Sequence, residues 1–227
     1  MKHAGIARRA AIKLIVLPLA AILALAAAGL LLGWPHWLAG TASALAVLWL
    51  LFSGFTLYFF RDPVARTPAT PGLAVSPAHG TVDAIEVLPA SPCFSGPCHR
   101  VSIFLSVINI HVQNAPGSGQ IAGLRHAPGQ FLSALKAESA LHNENLLIEF
   151  ASSETPGETI GVRLIAGVLA RRIVPFVQQG DRLERGERIS LIQFGSRCDI
   201  YLPMNFHIKV KLGDKLVGGE TPVAAKS

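Results

Sequence analysis

The sequence predicts an N-terminal transmembrane helical hairpin, residues 1–60, followed by a mainly β (α+β) soluble domain, residues 61–227. Three observations carry this expectation. Two long uncharged apolar runs open the chain. Prolines at positions 63, 68, 71 and 77 then punctuate the exit from the second run. Beyond them, short apolar stretches alternate with Gly/Pro turns.

Residues 14–33 (LIVLPLAAILALAAAGLLLG) contain no charge, and residues 38–60 form a second such run. Each is long enough to cross a hydrocarbon core of roughly 30 Å as a helix. Gly33-Trp34-Pro35-His36-Trp37 between them reads as a tight turn, with tryptophans suited to the water–lipid boundary. Lys2, Arg8, Arg9 and Lys13 precede the hairpin, Arg61 and Arg66 follow it, and the turn carries no Lys or Arg. The positive-inside rule therefore places both ends in the cytoplasm, in a cell membrane of the bacterial inner-membrane type. A cleaved signal peptide fits poorly, because the first run is too long and the second follows at once. Pro18 and the many small residues leave a hairpin that dips into one leaflet open.

The net charge of +6 does not signal nucleic acid. Four basic and no acidic residues lie in 1–60, leaving sixteen basic and fourteen acidic residues for the rest, a net of +2. The excess flanks the membrane, where anionic headgroups lie. No basic stripe with interleaved aromatics is present, so no nucleic-acid partner is expected. Three cysteines, Cys93, Cys98 and Cys198, are an odd count that fits a reducing compartment better than a disulfide framework. Cys93-x4-Cys98-His99 lacks the spacing and the second pair of a zinc site, and no metal is expected.

In the soluble part, candidate strands are 80–88, 100–105, 111–113, 119–126, 146–151, 158–164, 188–194, 198–202 and 207–210. Residues 133–140 and 165–173 read as short helices. The stretch VQQGDRLERGERISLI, 177–192, has two glycines six apart, each followed by an acidic residue. That rhythm gives the domain lipoyl-like β-sandwich character. No lysine occupies such a turn tip, which disfavours a biotinyl or lipoyl carrier.

The most informative residues are Gly195-Ser196 within LIQFGSRCDIYLP. A serine hydroxyl can attack the preceding glycine carbonyl and turn the amide into an ester. Glycine adopts the strained backbone this requires at little cost. β-Elimination then leaves dehydroalanine, which hydrolyses to a pyruvoyl group. A pyruvoyl carbonyl forms a Schiff base with an amine and acts as an electron sink. Read without context, the same pair is a serine in a turn between strands.

Several segments, in order, give that pair its context. Phe60-Arg61-Asp62-Pro63 follows the hairpin, and Ser76-Pro77-Ala78-His79-Gly80 resembles an SPADG segment. The run from Phe104 to Val112, FLSVINIHV, resembles FMSxxNVHV, and Ala115-Pro116-Gly117-Ser118-Gly119 follows it. The run from Ile165 to Ile173 resembles IAGxxARRI, and Phe194-Gly195-Ser196-Arg197 with Asp199 resembles FGSRxD. Together these resemble the short form of phosphatidylserine decarboxylase proenzymes over most of the soluble domain.

The resemblance implies a pyruvoyl-dependent lyase that turns phosphatidylserine into phosphatidylethanolamine. Self-cleavage would give a β chain, 1–195, and an α chain, 196–227, which stay associated. The pyruvoyl cofactor would be covalent and derived from Ser196. His111 aligns with the family histidine and is the expected proton carrier. Arg171, Arg172 and Arg197 are candidates for the phosphate or carboxylate of a phospholipid substrate, since guanidinium forks match such groups. The family's SPADG aspartate is His79 here. An aspartate would orient His111 and stabilise its charged form, which a histidine cannot do as an anion. Either His79 serves as a base, or another carboxylate substitutes, or the chain processes poorly. Asp83 lies on the same expected strand, about 13 Å away, too far without a bend or bulge. In His142-Asn143-Glu144-Asn145 the family tends to an arginine after Asn-Glu. Other readings are a non-cleaving membrane-anchored β-sandwich, a decarboxylase of an ether-lipid analogue, and a metallohydrolase using histidines 79, 99, 111 and 126, which no HExxH spacing supports. The oligomeric state is open, a homo-oligomer included.

Overall fold

The computed structural model describes residues 3, 5–35, 37–132, 142–167, 172–192 and 196–226. The chain divides into two compact units, Gly5–Asp62 and Pro63–Ser227, the latter joined by Met1–Ala4.

The first unit is a pair of helices, α1 (Ile6–Leu31) and α2 (Trp37–Phe59). Both are long and apolar enough to cross a membrane. Helix α1 begins earlier than the uncharged run, so Arg8, Arg9 and Lys13 lie on its first turns. It continues through Pro18. The indole Nε1 of Trp49 on α2 donates to the Ile15 carbonyl on α1 at 3.0 Å. Thr56 Oγ1 donates back to the Phe52 carbonyl at 2.8 Å, so this hydroxyl is satisfied within its own helix. At the turn, the Trp34 amide donates to the Gly29 carbonyl and its ring lies 3.0 Å from where a Cβ on residue 29 would stand.

The second unit is built from fourteen strands among the described residues. In chain order they are β1 (Leu73–Val75), β2 (Gly80–Leu88), β3 (Cys98–Leu105), β4 (Val112–Asn114), β5 (Gly119–Ala127), β6 (Asn145–Ser152) and β7 (Thr159–Ala166). They continue as β8 (Ile173–Pro175), β9 (Arg182–Leu183), β10 (Arg188–Ile192), β11 (Ser196–Pro203), β12 (Phe206–Ile208), β13 (Lys215–Leu216) and β14 (Pro222–Lys226). An eight-stranded sheet runs β13-β2-β3-β11-β7-β6-β5-β9, and two three-stranded sheets run β4-β10-β8 and β1-β14-β12. All of these pairings are antiparallel.

The period-two pattern of the central strands decides which side faces the core. Val101, Ile103 and Leu105 of β3 and Cys198, Ile200 and Leu202 of β11 join one buried cluster. Ile189 and Ile192 of β10 and Ile173 of β8 belong to the same cluster, so the eight-stranded sheet and the β4-β10-β8 sheet share it. Each such fully buried aliphatic side chain contributes about 1.5–3 kcal/mol. The outer face carries Arg100, Ser102, Arg197, Asp199 and Tyr201, and a smaller cluster of Cys98, Leu147 and Tyr201 with Cys93 and Phe94.

The glycine–acid rhythm forms tight turns. At Gly180 and Gly186 φ is 94° and 80°, values that suit glycine. Asp181 and Glu187 accept the amides of Gln178 and Glu184 with their side chains. Lys211 to Asp214 repeats the device around Gly213.

Two expectations change. Residues 165–173 are not a helix where described: Ile165 and Ala166 end β7, and Ile173 starts β8. Ladder pairing of Ile165 with Asn145 and Arg197 overrides local helix preference. The strand read at 198–202 begins at Ser196. The helix read at 133–140 lies outside the described residues.

Candidate active site

Ser196 is the first residue of β11, a central strand paired on both sides. It lies opposite Leu105 of β3 and Ala166 of β7. Its parity with Cys198 and Ile200 turns its side chain to the core face. The residue is fully buried, and its Oγ has no hydrogen-bond partner among the described residues. An unpaired buried hydroxyl costs about 1–3 kcal/mol, so structure alone gives no reason for a serine here. Both of its cross-strand neighbours, Leu105 and Ala166, carry apolar side chains. Gly195 lies outside the described residues.

His111 reaches the same region from the other sheet. β3 pairs with β11, and β4 pairs with β10. The links 106–111 and 193–195 therefore join the same two sheets. The Ile192 amide donates to the His111 carbonyl at 3.0 Å, and four residues later the chain reaches Ser196. Four peptide steps span at most about 14 Å. His111 is fully buried. Its Nδ1 is 2.9 Å from the Asn109 carbonyl, which can only accept, so Nδ1 carries the proton. In the neutral ring, Nε2 is then the basic nitrogen.

The sequence of the link explains how it holds that carbonyl. Asn109 Oδ1 accepts both the amide and the hydroxyl of Ser106 at 2.8 Å, and the Asn109 amide returns to the Ser106 carbonyl at 2.9 Å. Gln113 Nε2 donates to the His111 carbonyl at 2.7 Å, while Ser190 Oγ donates to Gln113 Oε1 at 2.7 Å. Asn109, Gln113 and Ser190 thus position His111, a role that residue type alone does not reveal.

His79 sits just before β2 and is partly buried. Its ring lies against the backbone of Gly218, where a Cβ would come within 3.0 Å of its Cδ2. Its loop is pinned by the Asn114 amide on the Pro77 carbonyl and the Gly219 amide on the Ser76 carbonyl, both 2.8 Å. Gly80 must be glycine, since a Cβ there would stand 2.3 Å from the Phe104 carbonyl oxygen. Thr81 faces Phe104, which faces Arg197. The start of β2 is therefore two strands from the start of β11, roughly 10 Å at ordinary strand spacing.

The three arginines have different placements. Arg197 lies on the outer face, 8 % exposed, and pairs with Asp83. Its guanidinium is thus engaged within the sheet, on the side away from the Ser196 hydroxyl. Arg172 is exposed and precedes Ile173, which pairs with Ile192. Arg171 lies outside the described residues.

Asp83 occupies a β-bulge: Val82 faces Ile103 and Ala84 faces Ser102, leaving Asp83 as the extra residue. The bulge does not bring Asp83 into the place of the motif's aspartate: its carboxylate pairs with Arg197. Burial pushes the Asp83 carboxyl above its usual range, and the Arg197 guanidinium pulls it part of the way back. Asp199, buried on the same face, is also raised by burial, against Ser102 and the guanidiniums of Arg100, Arg197 and Arg163.

Asn143, within the His142–Asn145 segment, is a hub the sequence did not disclose. It is 1 % exposed. Its Nδ2 donates to the carbonyls of Leu132 (2.8 Å) and Ala166 (2.7 Å), and its Oδ1 accepts the Leu132 amide at 2.8 Å. It thereby fixes Ala166, the direct neighbour of Ser196. Among the described residues, no three His, Cys, Asp or Glu side chains gather as metal ligands.

Fold and site together define a two-helix hairpin joined to a mainly β domain with a buried, unbonded serine at the head of a central strand. The chain belongs to the phosphatidylserine decarboxylase family, whose family model matches residues 52–224. Three relatives, each named phosphatidylserine decarboxylase proenzyme, show the extent of the likeness. The protein of Ruegeria pomeroyi is 46 % identical over 172 residues, covering 74 % of this chain and 77 % of its own. That of Desulfotalea psychrophila is 39 % identical over 183 residues, covering 81 % and 85 %. That of Gluconacetobacter diazotrophicus is 41 % identical over 206 residues, covering 88 % of each.

Proposed function

We propose that this chain decarboxylates phosphatidylserine to phosphatidylethanolamine with a pyruvoyl group made from its own Ser196. The observation that carries the reading is the buried Ser196 hydroxyl without a bonding partner, in a chain of this family.

The self-processing step is chemistry of the chain itself. Ser196 Oγ attacks the Gly195 carbonyl carbon, the C–N bond breaks, and the Ser196 nitrogen leaves with a proton as an amine. A base then removes the Ser196 Cα proton, and the ester oxygen departs as the Gly195 carboxylate. Water hydrolyses the resulting dehydroalanine, releasing ammonia and leaving the pyruvoyl group on the amide nitrogen of Arg197. His111 Nε2 is the group we assign to take the hydroxyl proton. His79, on its pinned loop, is assigned a supporting role in processing in place of the family aspartate.

The products are a β chain, 1–195, and an α chain, 196–227. Their continued association is supported by β11 lying between β3 and β7 and by β14 lying between β1 and β12. The pyruvoyl carbonyl supplies an electrophile for the substrate amine and a sink for the electrons of the departing carboxylate. His111 then returns a proton at the carbon that loses CO2. Arg172, and Arg171 beside it, are assigned to the phosphate or carboxylate of the lipid. The hairpin keeps the domain at the bilayer surface where the headgroups lie, with both chain ends cytoplasmic.

Full-length protein in vesicles of carboxyl-labelled phosphatidylserine should release labelled CO2, and Ser196→Ala should release none. Release by Ser196→Ala at the parental rate would refute the role of Ser196. Reporter fusions at residue 2 and after residue 66 should both report cytoplasm, and a periplasmic signal from either would refute the topology.

A further inference from the structure

Asp83 and Arg197 sit on strands that do not touch. In the sheet order β2-β3-β11, β3 separates them, so their ion pair straps across β3 on the outer face. The strap joins the second residue of β11 to the strand that begins one residue after His79. The Arg197 side chain is only 8 % exposed and that of Asp83 is 28 % exposed, so solvent screens the pair less than a surface pair.

The local sequence is shaped to make this pair. In a regular strand, Val82 and Ala84 would share a face. Here Val82 and Ile85 both pack on the core, which requires the extra residue between them. A bulge re-aims its side chain and bends its strand, and it costs a ladder bond. The return is a carboxylate beside the guanidinium next to Ser196.

We propose that Asp83 is a positioning residue which, through Arg197, fixes the head of β11 so that position 196 keeps its inward orientation before and after the chain is cut. The inference rests on the self-processing reading. Before cleavage, the 193–195 link restrains Ser196 covalently. Afterwards residue 196 is a chain end, and strand ends fray first. Ladder bonds to β3 and β7 hold the backbone, while the strap holds the first outward side chain and resists rotation of the strand. Asp83 touches neither the Ser196 hydroxyl nor His111: it acts from the opposite face of the sheet.

The test uses full-length protein in membranes with two readouts, the rate at which the precursor becomes two chains and hydrogen exchange of β11 amides. Asp83→Asn should slow chain separation about tenfold or more and speed exchange at the head of β11, leaving β5 and β6 unchanged. The exchanged pair Asp83→Arg with Arg197→Asp should restore most of both, and Asp83→Glu should retain most of both. Parental cleavage and exchange in Asp83→Asn would overturn the proposal. So would equal defects in Asp83→Asn and the exchanged pair, accompanied by faster exchange throughout the sheet. The exchange measurement is repeated on the intact chain with Ser196→Ala. If the parent never cleaves but Asp83→Asn still loosens β11 there, the self-processing reading fails and the positioning role stands.

Discussion

The carbonyl of His111 accepts the amide of Ile192 at 3.0 Å, and Ser196 follows four residues further on. One backbone bond thus ties the candidate base to the segment that carries the candidate nucleophile. The same histidine is oriented from its other side by Asn109, so both its main chain and its ring are held.

His111→Ala should remove the proton carrier and slow precursor cleavage by about 10²-fold or more. Pulse-labelled precursor followed by denaturing electrophoresis measures this. Asn109→Ala should slow it less, because the backbone carbonyl that accepts from Nδ1 stays while the side chain that braces its turn against Ser106 is lost. Equal rates for His111→Ala and the parent would remove His111 from the chemistry.

His79→Asp should process at least as fast as the parent, since it restores the carboxylate of the resembled motif. His79→Ala should process much more slowly. If His79→Ala cleaves at the parental rate, position 79 has no part in the reaction. Gly218→Val, which crowds the His79 ring, should fall between the two.

Asn143→Ala should lower stability by about 2–3 kcal/mol, because three hydrogen bonds vanish and the buried Ala166 carbonyl loses this partner. Thermal melting measures that. The same variant should slow cleavage, since the Ala166 carbonyl it holds belongs to the strand beside Ser196.

Burial pushes the Cys93 thiol up to about 12, with Glu149 adding to the rise. The thiol is the stable form below that value, so at pH 8 the thiolate fraction is about 10⁻⁴. Cys98 and Cys198 are raised as well. Folded protein at pH 8 should resist maleimide, with labelling growing about tenfold per pH unit, while unfolded protein labels at all three cysteines. Mass spectrometry reads the difference. Rapid labelling of Cys93 at pH 8 would contradict its partly buried, proton-holding setting.

Much of the fold was legible because its signals are local. The hairpin follows from two uncharged runs and the placement of Lys and Arg, and β2 follows from the alternation between Gly80 and Leu88. Strands of two or three residues, such as β8 and β9, are too short to show a period, and they exist only through pairing with distant partners. Residues 165–166 read as helix because Ala, Leu and Arg follow them, whereas Asn145 and Arg197 recruit Ile165 to the sheet. In the candidate site, the roles proposed for Ser196 and His111 start from motif chemistry. The role of Asn143 does not, because an asparagine beside Asn-Glu reads as a turn residue until its three partners are known. The Asp83 bulge was invisible too, since one extra residue leaves no mark on composition.

The central claim is that the chain cuts itself at Gly195–Ser196. Full-length protein from fresh membranes, separated under denaturing conditions and weighed by mass spectrometry, tests it most directly. The account predicts two chains, the smaller being residues 196–227 with a pyruvoyl group that blocks its N-terminus, and a single chain for Ser196→Ala. A uniformly intact parent chain, with an unmodified Ser196, would contradict it.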